Sequence, residues 1–249
     1  MPFIRDTVKS VLSQDYPAID YWVIDGGSKD GTVDFIKSVE ASLAGWISEP
    51  DEGISDAFNK GLARTRGEYV MFLNSDDALA LPSSISMMIA GARAAAWPEV
   101  AYGDCDLIDR SNGTVLYRAS IDFEPDRFLK FRIIPHPSML MRRSYFDRYG
   151  QFDRSFHIAM DYDLMLRGVP KAGATRVPVL VTNVRTGGIS TVDPMRVIEE
   201  NIRALRKNGY DISYWRAFSI RAITRLRGIV RRLLDALGIY RLIHGILRE

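Results

Sequence analysis

Tyr69-Val70-Met71-Phe72-Leu73-Asn74-Ser75-Asp76-Asp77 is the stretch on which the fold turns: an unbroken apolar run that stops on Asn, Ser and two adjacent carboxylates. A short apolar run bounded by turn residues reads as a strand buried on both faces, the habit of parallel sheets. Carboxylates just past the carboxyl end of such a strand sit where open α/β sheets bind ligands. Two adjacent acids repel one another unless a cation stands between them and a ligand, and hard oxygen donors suit Mg2+ or Mn2+. On these residues alone, an ordinary solvated turn is the competing reading.

The flanks repeat a strand, turn and helix pattern. Ile4, Val8, Val11 and Leu12 share one helical face, which Tyr16-Pro17 ends. Tyr21-Trp22-Val23-Ile24 reads as a strand, the run Asp25 to Gly31 as a turn, and Thr32 as the start of a helix. Trp46-Ile47-Ser48, a polar turn from Glu49 to Gly53 and a helix capped by Ser55 form a second unit. Downstream, a helix from Ser83 to Ala96 leads to a strand from Val100 to Ile108, then a hairpin signal at Asn112-Gly113. A strand at Ser138 to Met141 and a helix from Asp161 to Arg167 follow. Asp104 and Asp106 fall on one face of their strand and read as a structural or acceptor-side pair. The order is that of a layered α/β domain.

With 249 residues, 47% hydrophobic and 26% charged, the chain is too apolar for disorder and long enough for one domain with an appendage. A net charge of +2 sets no preference for nucleic acid, which is not expected as a partner. The single cysteine, Cys105, forbids an intrachain disulfide and a thiolate zinc cluster, and points to a reducing compartment. No secretory leader pattern opens the chain and no apolar stretch approaches the roughly 20 residues that span a bilayer, so a cytoplasmic protein with peripheral membrane contact is expected. The near-neutrality is a cancellation. Residues 216–249 hold eight arginines against Asp235 and Glu249, a charge of +6, and the other 215 residues hold 25 basic against 29 acidic groups, −4. Two parts are therefore expected: a catalytic body over 1–215 and a basic amphipathic tail over 216–249. In the tail Ile223, Leu226, Val230, Leu233 and Leu237 form an apolar stripe, and Ile239, Leu242, Ile243 and Ile246 a second piece beyond Gly238. The stripe either packs on the body or lies on an anionic membrane surface.

Five blocks, in order, resemble the inverting glycosyltransferases of family two, in particular bacterial members that build surface polysaccharides. They are Ser10 to Pro17, Val23 to Thr32 (Val-Ile-Asp-Gly-Gly-Ser-Lys-Asp-Gly-Thr), Ser48 to Gly61, Gly67 to Asp77 and Ala159 to Arg167, within a resemblance spanning residues 4 to 190. The resemblance implies a GT-A fold, a mixed and mostly parallel sheet flanked by helices. It implies that Asp25 reaches the nucleotide base or ribose, that Asp51 and Asn59 line the same donor pocket, and that Ser75-Asp76-Asp77 occupies the DXD position. Asp76 would contact ribose or metal, Asp77 would ligate Mn2+ or Mg2+, and Asp161 would be the catalytic base. His136 and the Gly187-Gly188 loop are expected at the acceptor side or as a lid. From spacing alone, Asp161 and Asp163 also read as helix-opening acids, with Asp163 paired to Arg167 at i,i+4.

The implied partners are a nucleotide-sugar donor, UDP-linked by default because Gly26 stands where many relatives carry a second acid, and a saccharide or lipid-linked saccharide acceptor. The implied place of work is the inner face of the cytoplasmic membrane. The family's usual first strand, which would lie beside Tyr21 to Ile24, has no counterpart ahead of the first helix, so unpaired strand edges are expected. A start further upstream is the favoured explanation. A catalytically impaired homologue serving as a binding partner in a polysaccharide assembly complex is the alternative function. A nucleotidyltransferase would need a glycine-rich basic loop near its first strand, and none is visible.

Overall fold

A computed structural model of the chain describes residues 3–131, 133–188 and 193–236, with side chains as far as Leu226. Helix α1 (Ile4–Leu12) buries Ile4, Val8 and Val11, the face that their spacing predicts. Strand β1 (Trp22–Asp25) then pairs in parallel with β2 (Gly45–Ser48), the two being linked by helix α2 (Thr32–Val39). Helix α3 (Ile54–Arg64) follows and packs on β1. The decisive apolar run forms a shorter strand than its pattern predicts. Only Tyr69–Val70 (β3) joins a ladder, and a second strand, β4 (Ala78–Leu79), appears immediately after the acids.

Helix α4 (Ser84–Ala94) leads to β5 (Val100–Ile108), the centre of the larger sheet. The β6 strand (Val115–Ala119) folds back on β5 across the expected hairpin. After the short helix α5 (Pro125–Phe128) come β7 (Met139–Arg142), α6 (Arg143–Tyr149), α7 (Met160–Ala172), β8 (Thr175–Arg185), α8 (Pro194–Lys207) and α9 (Tyr214–Ala236). The strand order is β3-β7-β5-β8-β4, with β6 on β5. The β5 and β8 strands run parallel, whereas β3 with β7, β5 with β7 and β4 with β8 are antiparallel. Strands β1 and β2 form a separate sheet. Among the described residues no strand joins the second edge of β1 to that of β3. With no partner on that side, Met71 to Leu73 run on outside any ladder.

Both faces of the larger sheet are covered, which is why its strands read as apolar runs rather than alternations. Val100, Tyr102, Met139 and Met141 face a core built with α3, α6, α7 and α8, whereas Ala101 and Leu140 face one built with α1 and α4. Gly91 lets α4 come down onto Val177, because a Cβ there would overlap both methyl groups of the valine. Helix α9 begins at Tyr214, so the expected boundary at 215/216 falls inside it, and its buried Ala217 and the adjacent Ile220 belong to the body's core. Ile223 and Leu226, the described members of the expected stripe, point away from the body and are 50% and 61% exposed, beside exposed Trp215 and Phe218. The second apolar piece beyond Gly238 lies outside the described residues.

Leu164 on α7 is fully buried in the larger core. Leu164→Ala is expected to destabilise the fold by about 2–5 kcal/mol through lost transfer energy and a residual cavity, read as a lower urea midpoint at unchanged slope.

Candidate functional site

The acidic turn is fixed from three sides. The hydroxyl of Thr7 on α1 lies 2.6 Å from the Asp77 carbonyl and 3.0 Å from that of Ser75. Asp77 Oδ2 accepts from the Asn74 amide at 2.9 Å, and its Oδ1 from the Arg185 N–H at 3.2 Å. Asp77 is 2% exposed, and burial pushes its carboxyl up to about 6, against the pull of Asn74 and Arg185. Asp76 faces out instead, and its Oδ2 pairs with Arg110 Nη1 at 2.8 Å. The two side chains are thus separated in role by their environments: one locked, one accessible.

This pair fits a hard divalent cation. Each carboxylate oxygen carries two lone pairs. Mg2+ typically takes one or two carboxylates plus substrate phosphates and waters, so adjacent acids need no further protein ligand. Among the described residues no group of three His, Cys, Asp or Glu could hold an ion by itself.

A second cluster forms at the ends of β1 and β2. Asp25 is buried, and although burial pushes its carboxyl up, hydrogen bonds from Ser28, Ser48 and the Gly27 N–H hold it below its ordinary value. Asp51 leans over this turn. A Cβ on Gly26 would overlap Asp51 Oδ2, so the glycine is what lets the Asp51 carboxylate close on the loop after Asp25. The Asp51 carboxylate thus lies against the residue that follows Asp25, while Asn59 is differently employed. Its Nδ2 donates to the Phe152 carbonyl at 2.9 Å and its Oδ1 accepts from the Phe152 N–H at 3.0 Å. That amide ties α3 to the chain leading into α7 rather than being left open to a ligand.

Asp161 stands in the first turn of α7, half-buried, accepting the Tyr162 N–H at 2.7 Å. Burial pushes its carboxyl up to about 6, and among the described residues it has no ion-pair partner. Its neighbour Asp163 is fully buried and structural, paired with Arg167 at 3.3 Å as spacing predicts and with Lys207 of α8 at 2.9 Å. The segment before Asp161 is pinned by a residue that the sequence did not mark. Glu200 Oε2 accepts the N–H groups of His157, Ile158 and Ala159 at 3.0, 2.8 and 3.0 Å. Its Oε1 pairs with Arg196 at 3.2 Å.

His136 is seated in the core. It is 7% exposed, ringed by Phe58, Phe72 and Phe152, and pushed down to about 4 by burial, which keeps it neutral. A neutral buried ring is a packing group here and is closed to an acceptor. Gly187, at φ +91°, lies against Arg110, whose Cδ would be 3.4 Å from an added Cβ. Gly188 follows it, and the remainder of that loop, Ile189 and Ser190, lies outside the described residues. Asp104 and Asp106 are each held in an ion pair, with Arg176 at 2.8 Å and Arg118 at 2.7 Å. Cys105 between them is 7% exposed, and burial, with the charges of Asp106, Asp77 and Asp104, pushes its thiol up to about 11.

The family model of Glycosyl transferase family 2 matches residues 1–150, and the chain belongs to that family. It is 30% identical over 190 residues, 76% of this chain and 72% of the relative, to an uncharacterized glycosyltransferase of Mycobacterium tuberculosis. It shares its fold with S. aureus TarS 1–349 in complex with UDP-GlcNAc, at a TM-score of 0.60 and 14% identity over 96% of this chain and 72% of that one. The chain spans 39% of a longer TarS structure. It also resembles the Pyrobaculum calidifontis mannosyltransferase PcManGT in complex with GDP-Man and Mn2+, at a TM-score of 0.58 and 19% identity over 85% and 61% of the two chains. The protein is thus a glycosyltransferase of GT-A fold.

Arg110, Arg185, Phe3 and Glu200 are the site-shaping residues that motif reading passed over. Arg185 ends β8 and Arg110 lies two residues beyond β5, positions that meet only because β5 and β8 are neighbours. Glu200 had no local signal, since its three amides are 41 to 43 residues away in sequence. Glu200→Gln keeps the shape and removes the charge, and charge-assisted bonds are worth about 1.5–3 kcal/mol. A loss of that order in urea unfolding, with faster amide exchange at 157–159 than at the core of α7, is expected.

Proposed function

We propose that the chain transfers a sugar, with inversion, from a nucleoside diphosphate sugar to a hydroxyl of a saccharide or lipid-linked saccharide. The observation that carries this reading is Asp161: a half-buried carboxyl without a cationic partner among the described residues, poised at about 6, on a helix whose entry is pinned by Glu200. An ordinary carboxylate is a weaker base, and catalytic bases work best with values nearer the operating pH. In the step, the acceptor oxygen forms a bond to the anomeric carbon as the bond from that carbon to the β-phosphate oxygen breaks. The bond's electron pair leaves on the diphosphate, and the acceptor's proton passes to Asp161. A single displacement of this kind inverts the configuration.

Asp25 and Asp51 would hold the base and ribose, a role supported by the Asp51 carboxylate lying against the residue that follows Asp25. Asp76 and Asp77 would hold Mn2+ or Mg2+, which when bound supplies positive charge to the leaving diphosphate. The structural neighbours' UDP-GlcNAc, GDP-Man and Mn2+ support a nucleotide-sugar donor and a divalent ion, with UDP the default nucleotide.

Asp161→Asn is expected to bind donor normally and to lose about 10²–10⁴-fold in turnover. Asp77→Ala is expected to lose the Mn2+-dependent part of donor affinity in calorimetry. Asp161 works deprotonated, so wild-type turnover should fall as pH drops through about 6, tenfold per unit below it, and residual turnover in Asp161→Asn should lack that limb. Wild-type turnover in Asp161→Asn removes it from the base role.

The tail reading gains a direction from α9. Ala217 and Ile220 face the body, and Trp215, Phe218, Ile223 and Leu226 face away, flanked by Arg216 and Arg225. An outward apolar face edged by arginines suits the interface of an anionic bilayer, where each basic residue near the surface is worth about 1 kcal/mol. Among the described residues no helix is long and apolar enough to cross a membrane. The triple variant Phe218→Ser, Ile223→Ser, Leu226→Ser leaves the core contacts in place and should abolish salt-sensitive co-flotation with phosphatidylserine-containing vesicles. Unchanged flotation rules the surface out.

A further inference from the structure

Two arginines converge on the acidic turn, and no motif assigned them. Arg110, just past β5 in the β5–β6 hairpin, pairs with Asp76 Oδ2 at 2.8 Å. Arg185, the last residue of β8, donates through Nη1 to the Asp76 carbonyl at 2.6 Å and pairs through Nη2 with Asp6 at 3.0 Å. Both guanidinium carbons lie 4.5 Å from the centre of the Phe3 ring, which gathers the two charges over one aromatic surface.

The two are held differently. The Arg185 side chain is 13% exposed, its backbone N–H is spent on Asp77, and its side chain is tied to a carbonyl and to Asp6, so it is a fixed part of the turn. Arg110 is 42% exposed and meets Asp76 through one nitrogen, leaving most of its five donors unused by that pair. Its stem rests on Gly187 and its N–H donates to the Thr186 hydroxyl at 3.1 Å, so it sits beneath the glycine loop at the end of β8.

We propose that Arg110 is a diphosphate-binding residue: the resident counter-ion of Asp76 in the free protein, released to the donor's diphosphate when nucleotide and divalent cation bind. This rests on the donor reading given above and adds a second cation to it. Asp6, Asp76 and Asp77 outnumber Arg110 and Arg185 by one charge, so the turn is net negative. A divalent cation taken up there makes Asp76 its ligand and frees the Arg110 fork. A guanidinium's parallel N–H groups match two oxygens of a phosphate in a way that a single carboxylate oxygen does not use. As the bond from the anomeric carbon to the β-phosphate oxygen breaks, the electron pair arriving on that oxygen is met by positive charge from Arg110 as well as from the cation. A fixed Arg185 keeps the turn assembled during the exchange.

Calorimetry on the full chain separates this from a structural role. With Mn2+, Arg110→Ala should weaken UDP binding about ten- to hundredfold, the worth of charge-assisted bonds. It should leave UMP, which lacks the β-phosphate, within twofold. In the absence of nucleotide the same variant should bind Mn2+ severalfold more tightly, because Asp76 loses a competing partner. Arg110→Lys should recover part of the UDP affinity. Unchanged UDP affinity in Arg110→Ala, or equal losses for UDP and UMP, overturns the assignment while leaving the donor reading intact. An unchanged Mn2+ affinity overturns the counter-ion role. A wild-type chain that binds none of UDP, GDP and dTDP with Mn2+ overturns the donor reading and this assignment together.

Discussion

The structure depends on the parallel pairing of β5 with β8. These strands meet from Ala101 with Thr175 to Ile108 with Arg185, and everything chemical at the acidic turn hangs from their shared end. The pairing is not uniform. Tyr102 faces Arg176 and Asp104 faces Leu180, so four steps of β8 meet two of β5, and β8 gains one more residue between Asp104 and Cys105. Pro178 falls in that excess, where a missing N–H costs no ladder bond, and Gly103 opposite has no Cβ to strike Val181 or the Val179 carbonyl. Without the bulge, β8 would reach the end of β5 out of step. With it, the Arg185 N–H arrives on Asp77 Oδ1 and its side chain beneath Phe3.

That delivery explains how a carboxylate can be buried beside another. Burial alone disfavours the charged form of Asp77, and the charge of Asp76 adds to the penalty. Asn74 and the Arg185 amide and guanidinium offset part of it, while Thr7 of α1 holds the backbone of the turn. The opposite policy rules the loop after β1, where Asp25 is also buried but collects hydroxyl and amide donors until its charged form is favoured. One family of residue thus serves as a tightly ionised anchor at one sheet and as a cation-hungry group at the other. The difference comes from the donors around each group and from burial, which bears harder on Asp77.

Much of this was legible in the residues. The α/β order, the hairpin at Asn112-Gly113, the acidic turn and the Asp163–Arg167 pair follow from local patterns whose causes are local: apolar period, turn chemistry and i,i+4 spacing. What escaped has non-local causes. The β4 and β8 strands were missed because β4 is two residues long and exists only by pairing with β8. The Tyr69 to Leu73 run predicts a full strand, yet a strand lasts only as far as it has neighbours. Asn59 and His136 look like site residues by type, and the fold employs one as a clamp on Phe152 and the other as a ring among phenylalanines. Glu200 and Arg110 act across more than thirty residues of sequence, where no spacing rule reaches.

Cys105 carries a last consequence. The thiolate, not the thiol, reacts, and a buried sulfur flanked by two carboxylates and pushed up to about 11 supplies almost no thiolate at neutral pH. In practical chemistry the folded protein behaves as though it had no cysteine. Cysteines engineered at two exposed positions would then be the sites that maleimides or spin labels find, so a distance between the β5–β6 hairpin and α3 can be followed in solution without first removing the native residue.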